Sequence, residues 1–220
     1  MLRLLSVLFL VSVATPVLAL EPPATEEQKT LYTIGQTVSR QLSVFNLTPA
    51  ELQYVLLGLT DAQAGKVPAF DTAPYGRKVQ ELARARRQEQ GNKMAPLNKQ
   101  ALEQAAKQPG AVTLPSGLVY IPLKEGAGAQ PKVTDTVRVN YRGTLADGKE
   151  FDSSFRRGNP LEFKLDGVIK CWAEGVQKMK VGGSARLACP AALAYGDQGA
   201  SDLILPGAAL LFEIDLLAIK

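Results

Sequence analysis

The chain has 220 residues, of which 46% are hydrophobic and 21% charged, so it can bury a core and is not disordered throughout. It contains no histidine, which excludes Ser–His and Cys–His nucleophile pairs and histidine-ligated metal sites. Two cysteines are too few for a four-cysteine zinc site or an iron–sulfur cluster, and a net charge of +4 is too mild to indicate a nucleic-acid partner.

The amino terminus has the features of a secretory leader. A short basic start at residues 1–3 precedes an apolar run over residues 4–13, and small residues lie near Ala19. This pattern predicts a signal peptide over residues 1–19, an exported mature chain, and no integral membrane span after cleavage. A transmembrane anchor is the alternative, but the run is short for one and contains Pro16.

Export changes the interpretation of the two cysteines. In an oxidising compartment a pair of cysteines usually forms a disulfide, and Cys171 and Cys189 are 189 − 171 = 18 positions apart. Two buried, unpaired thiols are the alternative, because a sequence does not give the Cα separation that a bridge requires.

Two helices are predicted at the start of the mature chain. Thr25 and Gln28 have the spacing of a capping box, and apolar residues follow at helical intervals. A stronger start signal lies at Thr48-Pro49-Ala50-Glu51, which combines a cap, a proline in the first turn and a glutamate at the third position. The second helix is expected to end at Gly65.

A third helical stretch begins near residues 71–74 and continues past Gly91. Pro96 is expected to break or kink it, because proline removes a helical hydrogen bond and clashes with the preceding turn. The helical region is thinly apolar, so its helices are expected to cover another surface. That surface is either the rest of the same chain or a second copy in a homodimer.

After Pro109-Gly110 the sequence takes on strand character. Residues 137–141 and 161–165 alternate with period two, and Asp147-Gly148 is a hairpin-turn signal between two strand-like runs. One short helix fits between Lys170 and Lys178, and residues 208–219 have the apolar density of a central strand. The fold class is therefore α+β, with a domain boundary near residue 110.

Several segments of the second half together carry a family resemblance. They are Val139-Asn140-Tyr141-Arg142-Gly143, Asp147-Gly148-Lys149-Glu150-Phe151-Asp152-Ser153-Ser154, Gly167-Val168-Ile169-Lys170-Cys171-Trp172-Ala173-Glu174-Gly175-Val176, Met179-Lys180-Val181-Gly182-Gly183, Ala194-Tyr195-Gly196, and Pro206-Gly207 running into Phe212-Glu213-Ile214. In this order and spacing they resemble the FKBP-type peptidyl-prolyl isomerases over about residues 113–220. The first half is similar, more loosely, to the helical amino-terminal domain of exported bacterial members of the macrophage infectivity potentiator type.

The resemblance implies the domain plan and the activity. A helical dimerisation domain and linker helix would occupy residues 20–110, and an isomerase domain residues 111–220, with a curved antiparallel sheet wrapped over a short helix. The expected function is rotation of Xaa-Pro bonds in exported proteins that are folding, without cofactor or metal. The expected location is the bacterial periplasm, with outer-membrane association or secretion as alternatives. The expected partners are proline-containing unfolded or nascent exported proteins, a second copy of the chain, and macrolide FKBP inhibitors.

The resemblance also implies residue roles. Trp172 would form the pocket floor, Asp152 would act electrostatically with Arg157 as its partner, and the Tyr195 hydroxyl would bind a substrate carbonyl. The implied catalytic residues are Asp152, Tyr195, Phe151, Tyr141 and Trp172. The implied substrate-binding residues are Arg157, Leu161, Phe163, Val168, Ile169, Leu203, Ile204 and Phe212.

Three positions depart from the family's usual pattern. Leu161 stands where many members have phenylalanine, Leu205 replaces a common proline, and Cys171 takes a place often held by glycine. A bridge from Cys171 to Cys189 would therefore clamp the pocket floor beside Trp172. The alternative function is that of a dimeric chaperone that holds clients between its helical domains, with isomerase activity secondary.

Overall fold

The computed structural model describes residues 21–220, so the predicted leader and its cleavage after Ala19 lie outside the described residues. The chain forms two compact units, of which the first ends at Gln41 and the second spans Leu42–Lys220. No helix within residues 21–220 is both long and apolar enough to cross a membrane. The domain limits at residues 110 and 111 stay a prediction.

The first unit is built on helix α1, Glu26–Leu42. Thr25 and Gln28 cap it reciprocally, because the Gln28 amide donates to Thr25 Oγ1 and the Thr25 amide donates to Gln28 Oε1, each at 3.1 Å. No residue of α1 is buried. Its apolar stripe is therefore available for a partner.

The second unit opens with helices α2, Pro49–Gln63, and α3, Tyr75–Ala106. The predicted capping box at Thr48 and Glu51 is present, and α2 ends just before Gly65, which has a φ of +67°. Of the expected break or kink at Pro96, the break is wrong, because α3 runs through this residue without interruption. Gly91, Asn98 and Ala105 are buried along one side of α3, and this packing opposes the cost of about 3 kcal/mol that an internal proline adds.

A seven-stranded antiparallel sheet forms the rest of the second unit. Its strands are β1 Val112–Thr113, β2 Val119–Lys124, β3 Thr136–Leu145, β4 Glu150–Ser153, β5 Leu161–Lys164, β6 Ser184–Cys189 and β7 Leu210–Ile219. Their order is β1-β2-β6-β7-β3-β4, with β5 paired to β3. The predicted central strand is confirmed as β7, and the Asp147-Gly148 turn joins β3 to β4 with Gly148 at a φ of +83°.

Two short helices complete the second unit: α4, Ser154–Arg157, and α5, Lys170–Val176. The predicted short helix between Lys170 and Lys178 is therefore present as α5. The main core lies between α5 and the sheet, because alternate residues of β3 and β7 point inward from both strands. A smaller apolar cluster lies between α3 and the sheet and comprises Ala105, Val119, Ile121 and Ala188, with Leu102 packed against it.

Candidate active site

The floor of the candidate site is the indole of Trp172. Its amide donates to the Ile169 carbonyl at 2.9 Å in the first turn of α5, which fixes the helix start directly beneath the cavity. The side chain is only 5% exposed. A large rigid aromatic held by helix and sheet at once gives a floor that does not move with the substrate.

Three aromatic rings pack against Trp172. The ring of Tyr141 stands nearly perpendicular to it at a centroid distance of 4.9 Å, and that of Phe212 does so at 5.2 Å. Phe163 is tilted against it at 5.2 Å, and Phe151 packs edge-on against Phe212 at 5.6 Å. Edge-to-face packing of this kind stabilises aromatic clusters beyond the area they bury, so the rings form one rigid wall.

Gly143 allows two of these rings to meet. A Cβ atom at this position would lie 2.7 Å from Phe151 Cζ and 2.9 Å from Phe212 Cε1. The glycine in the middle of β3 is therefore required by the close approach of the two phenylalanine side chains rather than by a turn.

A polar network occupies one side of the rim. The Tyr141 hydroxyl donates to Asp152 Oδ2, and Arg157 donates from Nη1 to Asp152 Oδ1 at 2.5 Å and from Nη2 to the Tyr141 oxygen at 2.5 Å. The Ser153 amide also donates to Asp152 Oδ1, at 2.9 Å. Both carboxylate oxygens are therefore occupied, and the Asp152 charge is fixed in place.

Burial and the adjoining carboxylate keep Tyr141 protonated. Desolvation raises the pKa of the Tyr141 phenol, and the hydrogen bond to Asp152 raises it further. Contact with the Tyr141 hydroxyl in turn raises the pKa of the Arg157 guanidinium. At neutral pH Tyr141 is therefore a hydrogen-bond donor to Asp152 and not a base.

Tyr195 lines the same cavity and, unlike Tyr141, is not part of the polar network. Its side chain lines the cavity and is 41% exposed. Among the described residues no partner is found for its hydroxyl. Tyr195 therefore has a hydrogen-bond donor to offer to an incoming ligand.

The cavity has a volume of about 400 Å³. Its lining contains most of the predicted site residues, namely Tyr141, Phe151, Asp152, Leu161, Val168, Ile169, Trp172, Tyr195 and Phe212, together with Gly167. The sequence had not indicated a role for Gly167. Within the described part of the chain, no serine, cysteine or lysine belongs to this lining.

Four predicted residues lie outside the lining. Arg157 is held against Asp152, and Phe163 supports Trp172 from behind. Ile204 is buried at 5% exposure, whereas Leu203 is 40% exposed. Arg157 and Phe163 therefore contact cavity residues without being part of the lining.

Ser154 is a further supporting residue. It is fully buried, and its Oγ accepts a hydrogen bond from the Tyr141 amide at 2.9 Å. The same hydroxyl lies 3.2 Å from Asn140 Oδ1. Ser154 thus ties α4 to β3 behind the polar network, a long-range contact that the local sequence does not reveal.

The two cysteines meet beneath the floor. In the structure Cys171 is joined to Cys189, with a Cα–Cα distance of 5.8 Å, and both are fully buried. Cys171 lies at the start of α5 and Cys189 at the end of β6. The bridge therefore links the helix that carries Trp172 to the sheet.

These features together define a class of enzyme. An antiparallel sheet over a short helix, with an aromatic cavity between them, is the architecture of a peptidyl-prolyl isomerase. The family model for FKBP-type peptidyl-prolyl cis-trans isomerases matches residues 128–217, and the model for the domain amino-terminal to it matches residues 27–121. The chain belongs to the FKBP-type peptidyl-prolyl cis-trans isomerases.

Relatives cover most of the chain. FKBP-type peptidyl-prolyl cis-trans isomerase FkpA of Escherichia coli (strain K12) is 36% identical over 207 residues, which are 89% of this chain and 76% of the relative. The FKBP-type 22 kDa isomerase of the same strain is 40% identical over 198 residues, 89% and 96% of the two chains. Peptidyl-prolyl cis-trans isomerase Mip of Coxiella burnetii (strain RSA 493 / Nine Mile phase I) is 34% identical over 209 residues, 92% and 90% of the two chains.

A solved structure extends the similarity to the fold. The crystal structure of FkpA from Escherichia coli superposes with a TM-score of 0.67 at 35% identity, covering 89% of this chain and 97% of that one. The predicted family, fold class and enzyme class are therefore confirmed. The chaperone alternative is not favoured, because the relatives are named for isomerase activity.

Proposed function

We propose that the cavity above Trp172 binds the prolyl ring of a substrate and catalyses rotation of the preceding peptide bond. The observation that carries this proposal is the convergence of perpendicular aromatic rings on a buried indole, beneath a rim that holds one fixed carboxylate and one free phenol. An apolar ring fits such a floor, and the rim lies where the amide preceding the ring would be.

The reaction needs a site that favours a twisted amide. Rotation about a peptide bond has a barrier of about 18–20 kcal/mol because resonance is lost as the bond leaves planarity. A bond before proline therefore isomerises only over tens to hundreds of seconds without help. A dry pocket that fits the twisted amide better than either planar form lowers this barrier by differential binding.

The rim residues have distinct proposed roles. Asp152 supplies a fixed negative potential that acts on the changing dipole of the twisting amide, since Arg157 and Tyr141 already occupy its oxygens. The Tyr195 hydroxyl donates to a substrate carbonyl. Leu161, Val168 and Ile169 form the apolar sides of the cavity. Leu203 and Ile204 lie outside the lining, and their proposed role is to contact the substrate from the neighbouring loop.

An isomerisation assay tests this proposal. The mature chain, residues 20–220, should accelerate cis–trans conversion of a prolyl peptide, and a macrolide FKBP inhibitor should remove the acceleration. An uncatalysed rate with purified, folded chain would contradict the proposed function.

We also propose that α1 mediates a homodimer. Leu31, Tyr32 and Ile34 are 57–59% exposed, and Leu31, Ile34 and Val38 lie on one face of the helix. An apolar stripe exposed to this extent fits a second copy better than water.

Light scattering of the mature chain tests the dimer. The wild type should have twice the mass of one chain, and Ile34→Glu should reduce it to one chain. Gln36→Glu, on the opposite face of the same helix, is the matched control and should leave the dimer intact. A monomeric wild type would contradict the proposal.

The site of action proposed for this enzyme is outside the cytoplasm. The leader-like residues 1–19 and the oxidised cysteine pair both fit an exported protein. The substrates would then be unfolded or nascent exported chains that contain proline.

A further inference from the structure

We propose that Arg87 of α3 is a positioning residue of the isomerase, acting through the loop of residues 195–207 that borders the prolyl cavity. The proposal rests on the proposed function of that cavity. It concerns a helix that lies outside the sheet and contributes no residue to the cavity lining within the described chain.

Arg87 connects two points of the 195–207 loop. Its Nη1 donates to the Ser201 carbonyl at 2.6 Å and its Nη2 to the Ile204 carbonyl at 3.1 Å. The two acceptors belong to a turn closed by reciprocal hydrogen bonds between Ala200 and Ile204, at 2.9 and 3.0 Å. One planar guanidinium thus ties both sides of the turn to α3, a geometry that an ammonium group does not reproduce.

The backbone of this turn needs such support. Ser201 has a φ of +46°, a conformation that residues other than glycine adopt rarely. At Gly199 the chain passes so closely that a Cβ atom would lie 2.2 Å from the Ile204 carbonyl oxygen. Unfavourable conformations of this kind persist only where the surroundings hold them, and Arg87 holds the carbonyl of Ser201 itself.

The same face of α3 also contacts the carboxyl-terminal end of the 195–207 loop. A Cβ atom on Gly91 would lie 2.4 Å from the Pro206 carbonyl oxygen, so the helix and the loop are in direct backbone contact there. Further along, Asn98 Nδ2 donates to the Gly207 carbonyl at 3.1 Å. Positions 87, 91 and 98 fall on one side of a helix with 3.6 residues per turn. The loop is therefore held at three places by one helix face.

The loop in turn carries a cavity residue. Tyr195 begins it and lines the cavity, and the Gly199 amide donates to the Tyr195 carbonyl at 3.2 Å. Its other end closes on the same place, since the Gly207 amide donates to the Gly196 carbonyl at 3.0 Å. A change at Ser201 or Ile204 is thus transmitted to the backbone of Tyr195.

A loop that is ordered only part of the time weakens capture of the substrate. The apparent dissociation constant rises in inverse proportion to the competent fraction, while turnover of the bound complex is unchanged once the loop has closed. Loss of the Arg87 contacts should therefore raise KM and spare kcat. General destabilisation would instead reduce the amount of active enzyme, which lowers kcat and leaves KM unchanged.

The test compares Arg87→Ala with Arg84→Ala in the mature chain. Arg84 lies one turn earlier on α3, beside the same loop. Within the described residues it donates no hydrogen bond to the loop. Arg84→Ala therefore removes the same charge as Arg87→Ala without removing a contact to the loop. We expect Arg87→Ala to raise KM about fivefold with kcat unchanged, as for a loop ordered in roughly a fifth of free molecules. The amides of Ala200 and Ile204 should exchange hydrogen faster in this variant, and Arg84→Ala should match the wild type in both measurements.

Three outcomes would overturn the proposal: unchanged exchange in Arg87→Ala, faster exchange without a change in KM, or equal effects of the two variants. Arg87→Lys, which keeps the charge but not the paired contacts, should fall between Arg87→Ala and the wild type. If the wild type itself lacks isomerase activity, the proposed function fails, while the exchange measurement still decides whether Arg87 orders the loop.

Discussion

Arg157 and Asp152 form an ion pair, at 2.5 Å, in the rim of the candidate cavity, and the Tyr141 hydroxyl donates to the other oxygen of the carboxylate. Hydrogen bonds from Arg157, Tyr141 and the Ser153 amide hold this carboxylate in one orientation. We therefore propose that Asp152 contributes a fixed charge to catalysis. That role differs from general acid–base catalysis, in which the carboxylate would exchange a proton with the reacting group.

Asp152→Asn should lower kcat/KM about tenfold, equivalent to about 1.4 kcal/mol of transition-state stabilisation. The amide keeps the shape of the side chain and an acceptor for Arg157, but it removes the charge. Circular dichroism should stay unchanged. Activity equal to that of the wild type would show that the charge does not act on the reaction.

Arg157→Gln tests whether the two residues act as a unit. Because Arg157 positions Asp152, the double variant with Asp152→Asn should be no worse than Asp152→Asn alone. The measurement is a double-mutant cycle on kcat/KM. Additive losses would mean that Arg157 contacts the substrate independently of Asp152.

Tyr195→Phe should lower kcat/KM several-fold while leaving the free energy of unfolding unchanged. The hydroxyl has no partner among the described residues, so its removal breaks no internal contact and affects only the bound ligand. Tyr120→Phe is the matched control, since Tyr120 is a partly buried tyrosine of β2 that does not line the cavity. Equal rates for Tyr195→Phe and the wild type would remove this residue from the site.

Much of the site could be predicted because its residues lie in short segments that each carry a local signal. The alternation in β3 identifies Tyr141 as inward-facing, and the Gly167–Val176 motif places Trp172 on a short helix. The family pattern then supplies the pairing of these segments. Site residues could therefore be predicted where a local sequence signal and the family pattern both pointed to them.

The contacts of α3 could not be predicted. Arg87 and Ile204 are 117 residues apart, and the continuity of α3 through Pro96 depends on packing against elements that follow later in the chain. Local rules at Pro96 indicate a break, and burial along one face of the helix overrides them. The supporting role of Ser154 was not predicted for a similar reason, since it depends on a hydrogen bond from the Tyr141 amide of β3.

The stability of the protein should fall above about pH 10, the ordinary pKa of tyrosine, and Tyr141→Phe should reduce this loss. Burial raises the pKa of Tyr141 in the folded state, so the unfolded chain loses its phenolic proton first as the pH rises. The stabilisation that the protonated Tyr141 phenol provides is complete below the pKa of Tyr141 in the unfolded chain. It is lost as the pH rises from that pKa to the raised pKa of Tyr141 in the folded state.

Denaturant unfolding at pH 8 and at pH 11 measures this effect. Burial raises the pKa of Tyr120 as well, so Tyr120→Phe serves to separate the two phenols. Tyr141→Phe should reduce the difference in the free energy of unfolding between pH 8 and pH 11. Tyr120→Phe measures the part of that difference that comes from Tyr120. If the difference in the free energy of unfolding between the two pH values is the same in Tyr141→Phe as in the wild type, the phenol of Tyr141 is not protected from solvent in the folded protein.

Removing the bridge with Cys171→Ala and Cys189→Ala together should lower the free energy of unfolding by about 3 kcal/mol, as expected for a closed loop of this length. Cys171 immediately precedes Trp172, so the loss should also loosen the cavity floor and raise KM for a prolyl peptide. Reduction of the wild type should reproduce both effects, whereas the same reductant should leave the double variant unchanged. Alkylation without reduction, followed by mass spectrometry, should label no thiol in the mature chain; two labelled thiols would show that the floor is held by packing alone.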